Sequence, residues 1–245
     1  MADFERTITG SQAVQDVMKI LGLTPPGSVA DSQNPTAKQL WVLATQVGQM
    51  LLDEIDEGWQ FTSRDYTITT SPGVPNYPLP DDWNGFIQDA QWNQTTRLPA
   101  IGSLREYEWQ MLKARQLAGT TFTMLFRVQD GEVVFYEAPS TVQTIVLPYV
   151  TRGWVVAADG TTRRDNLQNN DDTILYDPQL FKAGLKLMWM AEKKFDTTRQ
   201  QAVYDNLLDK ARGKDTPGRT LSLDRRAGGF PYLGVLNIPD TGYGT

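Results

Sequence analysis

Three groups of paired acids are the residues whose types could do chemistry: Asp53, Glu54, Asp56 and Glu57; Asp81 with Asp82; and Asp171 with Asp172. Two converging carboxylates can hydrolyse a glycosidic bond, and a cluster of them can hold a hard cation. Each group here sits beside a turn or a helix end, where acids also serve capping and solubility. None shows the distant partner that a glycosidase pair requires. Carboxylates, Lys and Tyr are the reactive groups left, because the chain contains no histidine and no cysteine. That removes Ser-His-Asp arrangements, thiolate nucleophiles and zinc–sulfur centres. Gly102-Ser103 lies outside any Gly-x-Ser-x-Gly context, and no P-loop or dinucleotide fingerprint occurs. The stretch from Asp159 to Asp172 is rich in Asp, Asn, Thr and Gly, but it lacks the alternating ligands, central Gly and final Glu of a calcium loop. The chain reads as a non-enzyme with no metal and no cofactor.

Aromatic residues offer a second kind of chemistry. Trp59, Trp83, Trp92 and Trp109 fall close together. Rings on a β-scaffold can stack on sugars or on the bases of a single strand. They equally fill a small core or an intersubunit contact, where Trp and Tyr are enriched. The formal charge of −6 argues against a general nucleic-acid binder and favours core and interface. That charge is uneven. Residues 1–57 carry eight acids against three bases, whereas residues 209–226 carry six bases against three acids. Such segments are either two solvated faces or a complementary pair, within one molecule or between neighbours.

The elements that must position these groups follow from periodicity. Asn34 caps and Pro35 opens a long helix whose apolar stripe is Leu40, Leu43, Ala44, Val47, Leu51 and Ile55. The acids at 53–57 occupy its last turn, where the helix dipole disfavours them. Gly58 supplies a left-handed terminus, and Trp59 and Phe61 begin an extended segment with both rings on one side. Before it, a short helix spans Ser11 to Leu21. After it, alternation takes over: a strand around Tyr66–Thr70, a turn at Ser71-Pro72-Gly73, an extended Tyr77–Pro80 and a strand from Phe86 to Trp92. Ser103 to Glu106 reads as a capping box, opening a helix to Gly119 with Leu104, Tyr107, Met111 and Ala118 inward. Strands are expected at Thr121–Val128, Glu132–Glu137 and Gln143–Thr151, with Asp130-Gly131 as a hairpin turn. The Asp159–Asp172 stretch is then a long surface loop.

Asp177-Pro178 repeats the cap-plus-proline signal for a helix to about Phe195 that is apolar most of the way round, hence central. Thr198 to Gln201 reads as a capping box for a last helix ending at Gly213, the two forming an antiparallel pair against the long helix. Residues 214–245 have no helical period, three prolines and six glycines, yet carry Phe230, Tyr232, Leu233, Val235, Leu236 and Ile238. This segment either folds back on its own domain or acts as an arm that orders on a partner. The fold class is α+β: a helical bundle (1–57 plus 178–213), an inserted β-rich domain with one helix (58–177) and an extended C-terminal arm (214–245). No signal peptide opens the sequence and no apolar run reaches a membrane span, so a soluble protein made in a cytoplasm is expected.

A helix ending in Gly58-Trp59-Gln60-Phe61, an extended Tyr77-Pro78-Leu79-Pro80-Asp81-Asp82, a mixed β section and a returning helix pair together resemble the head-to-tail adaptors of short-tailed bacteriophages, the tail tubular protein A-like or gatekeeper proteins. The resemblance covers most of residues 10–212. It implies a structural virion protein of the neck, assembled in the host cytoplasm as a homo-oligomeric ring of about twelve copies. Such a ring sits between the portal protein and the tail nozzle protein, and DNA passes through its channel without specific binding. The bundle would form the ring wall, the β-rich part would point outward or toward the tail, and the C-terminal arm would grip the portal. On that mapping the portal-binding residues are Arg219, Arg225, Arg226, Phe230, Tyr232, Leu233 and Leu236. Asp53, Glu54, Asp56 and Glu57 would face the lumen or a neighbouring subunit. The reading from a different class is a carbohydrate- or receptor-binding module built on the tryptophan-rich β section.

Overall fold

The computed structural model describes residues 7–55, 58–115 and 124–215. In chain order β1 (Ile8–Thr9) leads into α1 (Gly10–Ile20), and α2 is Pro35–Leu52. Then come β2 (Ser63–Thr69), β3 (Asn76–Pro78), β4 (Trp83–Phe86), β5 (Trp92–Asn93), β6 (Leu98–Pro99) and α3 (Glu106–Arg115). They are followed by β7 (Phe126–Gln129), β8 (Glu132–Phe135), β9 (Thr144–Thr151), β10 (Val155–Val156), β11 (Arg163–Arg164) and β12 (Thr173–Ile174). The chain returns to helices in α4 (Pro178–Glu192) and α5 (Thr198–Asp215). Helices at both ends with antiparallel sheets between them make the fold α+β, as expected.

Two of the helix starts follow the sequence signals. Asn34 accepts the backbone N–H groups of Thr36 and Ala37, and Asp177 accepts those of Gln179 and Leu180, each with proline in the first turn. Others start differently. α1 begins at Gly10, one residue ahead of the expected Ser11, behind a capping box of Thr9 with Gln12. Ser103 caps nothing; its hydroxyl accepts the N–H of Val128, while Glu108 accepts the N–H of Arg105. At α5 the N–H and hydroxyl of Thr198 both go to Asp196 rather than to a box with Gln201. The helix also runs on through Gly213 to Asp215.

α4 touches α1, α2 and α5. At Gly184 a methyl group would stand 3.0 Å from Val47 of α2 and 3.2 Å from Tyr204 of α5, so the small residue lets three helices meet. The first apolar core lies between these helices and also takes in Trp59, Trp154, Val155, Leu167, Ile174 and Tyr176. Only Tyr204 and Leu208 of α5 are buried, so that helix lies on the outside of α4 rather than directly on α2.

β9 organises the main sheet. It pairs antiparallel with β2 along one edge and with β4 and β5 along the other. Its alternate residues Ile145, Leu147 and Tyr149 turn inward, and Ile68 of β2 lies opposite Ile145. β3, β8 and β7 form a second sheet, and Phe126, Val133 and Phe135 close the second core against Ile68, Ile145 and Leu147. Asp130 and Gly131, with φ of 52° and 78°, make the two-residue turn joining β7 to β8. The expected strand from Phe86 to Trp92 is two strands, β4 and β5, broken at Asp89 with φ of 56°. α3 is buried through Trp109 (2 % exposed), whereas Tyr107, expected inward, is 78 % exposed.

The stretch expected as a plain surface loop between Asp159 and Asp172 contains β11 and ends on a fully buried acid. Asp172 accepts the N–H groups of Gln168 and Asn169 and faces Arg164 at 3.6 Å. Those bonds offset the cost of burying a carboxylate.

Candidate functional site

The acids at the end of α2 were expected inside its last turn. The helix instead stops at Leu52 with Asp53 as its C-cap, so Asp53 and Glu54 follow its last turn rather than lying within it. Glu54 is held by α5: one terminal nitrogen of Arg212 reaches the Glu54 carbonyl at 2.7 Å and its carboxylate at 2.6 Å. The acidic and basic segments therefore meet, at this pair, within one molecule. Asp56 and Glu57 lie outside the described residues, as do Arg219, Arg225, Arg226, Phe230, Tyr232, Leu233 and Leu236.

Under α2, Trp59 and Phe61 meet Tyr176, and Tyr176 meets Trp154; the last two are aromatics that sequence periodicity left unassigned. Gly48 of α2 is the floor of this cluster. A methyl group there would come within 2.2 to 2.4 Å of the Trp154 ring, and the Gly48 carbonyl accepts the Tyr176 hydroxyl at 2.9 Å. Trp59 donates its indole N–H to the Leu51 carbonyl at 2.6 Å, and its ring stacks on Phe61 with centroids 6.1 Å apart. These two rings share a side as expected, but on a 3-10 turn at Gln60–Thr62 rather than on a strand. Burial pushes the Tyr176 phenol well up, with the Asp53 carboxylate adding to it. Burial also raises Tyr204, to about 12, and Glu54 adds to that rise while Arg212 opposes it. The end of α5 closes over the turn: Asp215 accepts the Gln60 backbone N–H at 3.0 Å, and its carbonyl accepts the Gln60 side-chain amide. A glycine in mid-helix was the available signal for this close approach.

Asp82 is the other charged centre. It accepts the Tyr149 hydroxyl at 2.9 Å, the Thr151 hydroxyl at 2.6 Å and Arg64 at 3.2 Å, tying the turn before β4 to β2 and β9. Burial alone would raise its carboxyl, but the bonds from Thr151 and Tyr149 and the charge of Arg64 hold it below the usual carboxylate range. Asp81, its neighbour, instead gives its carbonyl to Arg152. The Asp82 carboxylate is thus committed to loop geometry, and Asp171 is exposed while Asp172 is buried. Among the described residues no three acids gather where a cation could sit.

Of the four clustered tryptophans, Trp59 and Trp109 are buried, Trp83 is half-buried and Trp92 is 37 % exposed. Trp109 lies under Arg127, whose guanidinium carbon is 4.5 Å from the ring centre. Trp83 meets Phe86 edge to face at 5.5 Å beside a groove of about 620 Å³ that Asp89, Arg105 and Glu108 also line. Among the described residues no helix is long and apolar enough to cross a membrane.

The Glu54–Arg212 and Asp82 centres are thus junctions between elements. No curated protein matches the chain. Residues 9–228 match the model of the SU10 adaptor protein family, and with nearly the whole described fold inside that span the chain belongs to this family of bacteriophage adaptor proteins.

Proposed function

We propose that this chain is a non-enzymatic structural component of the virion neck. Copies of it form a ring between portal and tail nozzle and prolong the DNA channel. Membership of the adaptor family across residues 9–228 carries this reading. The character of α2 supports the ring. Between Lys38 and Asp53 that helix has no charged residue, although Val42, Gln46 and Gln49 are exposed. Interfaces are depleted in charge at their centres, and a neutral outward face suits packing against a second copy. A net charge of −6 gives the channel weak affinity for phosphate and lets DNA pass. The arm residues Arg219, Arg225, Arg226, Phe230, Tyr232, Leu233 and Leu236 are the portal-docking surface, and Asp53, Glu54, Asp56 and Glu57 line the lumen or a neighbour contact.

Light scattering and negative-stain imaging of the protein mixed with its cognate portal test the assignment. Ring-shaped density coaxial with the portal is the expected result, and a chain that stays monomeric and ignores the portal overturns it. The glycan-binding alternative rests on Trp83 and Trp92, the two of the four rings that solvent reaches. It requires a change in tryptophan fluorescence on adding oligosaccharides.

A further inference from the structure

β2 ends its sheet on one side, and its register shows which backbone groups that leaves. Thr70 donates its N–H to the Gln143 carbonyl opposite it, at 2.8 Å. In an antiparallel pair such positions alternate, so Arg64, Tyr66 and Ile68 face β9, while Asp65, Thr67 and Thr69 face away. The other side of β9 obeys the same parity: Thr144 and Pro148 offer their carbonyls to Gln94 and Ile87. Among the described residues no strand pairs with the outer edge of β2. That edge is regular in register, lacks proline and lysine, carries its charges only at Arg64 and Asp65 near one end, and is exposed at Asp65, Thr67 and Thr69. Proteins ordinarily blunt such an edge, because it templates an added strand.

The chain carries one segment suited to it. Tyr232 to Ile238 is uncharged, rich in aromatic and branched residues, and bracketed by Pro231 and Pro239. It is seven residues long, as is β2. The sixteen residues between Asp215 and Tyr232 span up to about 55 Å when extended, enough to cross to a neighbour. We infer that the outer edge of β2 receives Tyr232–Ile238 of a second copy as an added strand. This rests on the reading that copies of the chain associate. It uses different atoms from portal docking: main-chain groups bind the edge, while the side chains of Tyr232 and Leu236 on one face of such a strand, and of Leu233 on the other, remain available to the portal.

The native chain has no cysteine, which makes a disulfide test clean. Full-length Asp65→Cys, Thr67→Cys and Thr69→Cys chains, each with one tag, are assembled on the cognate portal with a differently tagged Val235→Cys chain and oxidised. At least one pairing is expected to give mixed-tag dimers tenfold above a control pairing of Val235→Cys with Thr24→Cys. An intact ring with no excess over the control for any of the three overturns this inference and leaves the ring standing. Absence of a ring in the light-scattering trace overturns both. A disulfide that forms within a single chain carrying both Thr67→Cys and Val235→Cys, but in none of the mixed pairings, places the strand within its own copy and also overturns it.

Discussion

Single side chains in this protein act as ties, and Asp82 is the clearest. Three donors from two strands converge on it. Asp82→Asn is expected to lower stability by about 1.5–3 kcal/mol at pH 7, the range for hydrogen bonds to a charged group. Its folded pKa is depressed, so its stabilisation is complete above the unfolded carboxylate value near 3.9 and is lost as pH falls through the folded one. Urea titrations of both proteins between pH 7 and pH 2 should therefore converge at the acid end; a constant gap would show that ionisation is irrelevant. Arg212 and Glu54, each more than a quarter exposed, form a weaker tie. A double-mutant cycle with Arg212→Ala and Glu54→Ala should give a coupling of about 1 kcal/mol or less, falling in high salt.

Elements meet where small residues permit it. Gly48→Ala would gain helix propensity of roughly 1 kcal/mol, yet it drives a methyl group into the Trp154 ring. Net destabilisation of about 1–3 kcal/mol is expected from the overpacking. Gly213 in α5 is the internal comparison, because a methyl group there meets nothing within 4 Å. Gly213→Ala should stabilise by up to about 1 kcal/mol. Denaturant midpoints decide both, and equal shifts of the same sign would contradict the packing at Gly48. The start of α5 belongs here too: Asp196→Ala removes the acceptor for Thr198 and should lower the denaturant midpoint.

For the whole molecule, the described residues of both apolar cores belong to the compact unit that ends at Asp215. A chain ending at Asp215 is expected to unfold at the same temperature as the full chain and to lose binding to the portal, measured by co-sedimentation. Undiminished binding would sink the role proposed for the arm. The aromatic cluster under α2 joins the helices to the segment from Trp154 to Tyr176, so Trp154→Ala should lower the melting of helix and sheet signals together rather than separately.

Much of this was open to reading along the chain, because the signals are local. Asn34-Pro35, Asp177-Pro178 and Asp130-Gly131 each commit a few neighbouring residues to one backbone conformation, and the structure follows them. The apolar stripe of α2 and the inward residues of β9 follow from period alone. Ser103 and Thr198 satisfy the same capping pattern and do not cap, since a hydroxyl bonds whichever partner the fold presents: the Val128 N–H in one case and Asp196 in the other. Tyr107 and Trp109 were interchangeable in a ten-residue helix until the second sheet chose the side it covers. Asp172 shows the limit most sharply. Composition places it in a solvated loop, but the backbone of residues 168 and 169 and the side chain of Arg164 fold around it and make a buried carboxylate tolerable. Propensity and period are properties of neighbours in the chain; burial and bonding partners are properties of residues that meet only once the chain has closed on itself.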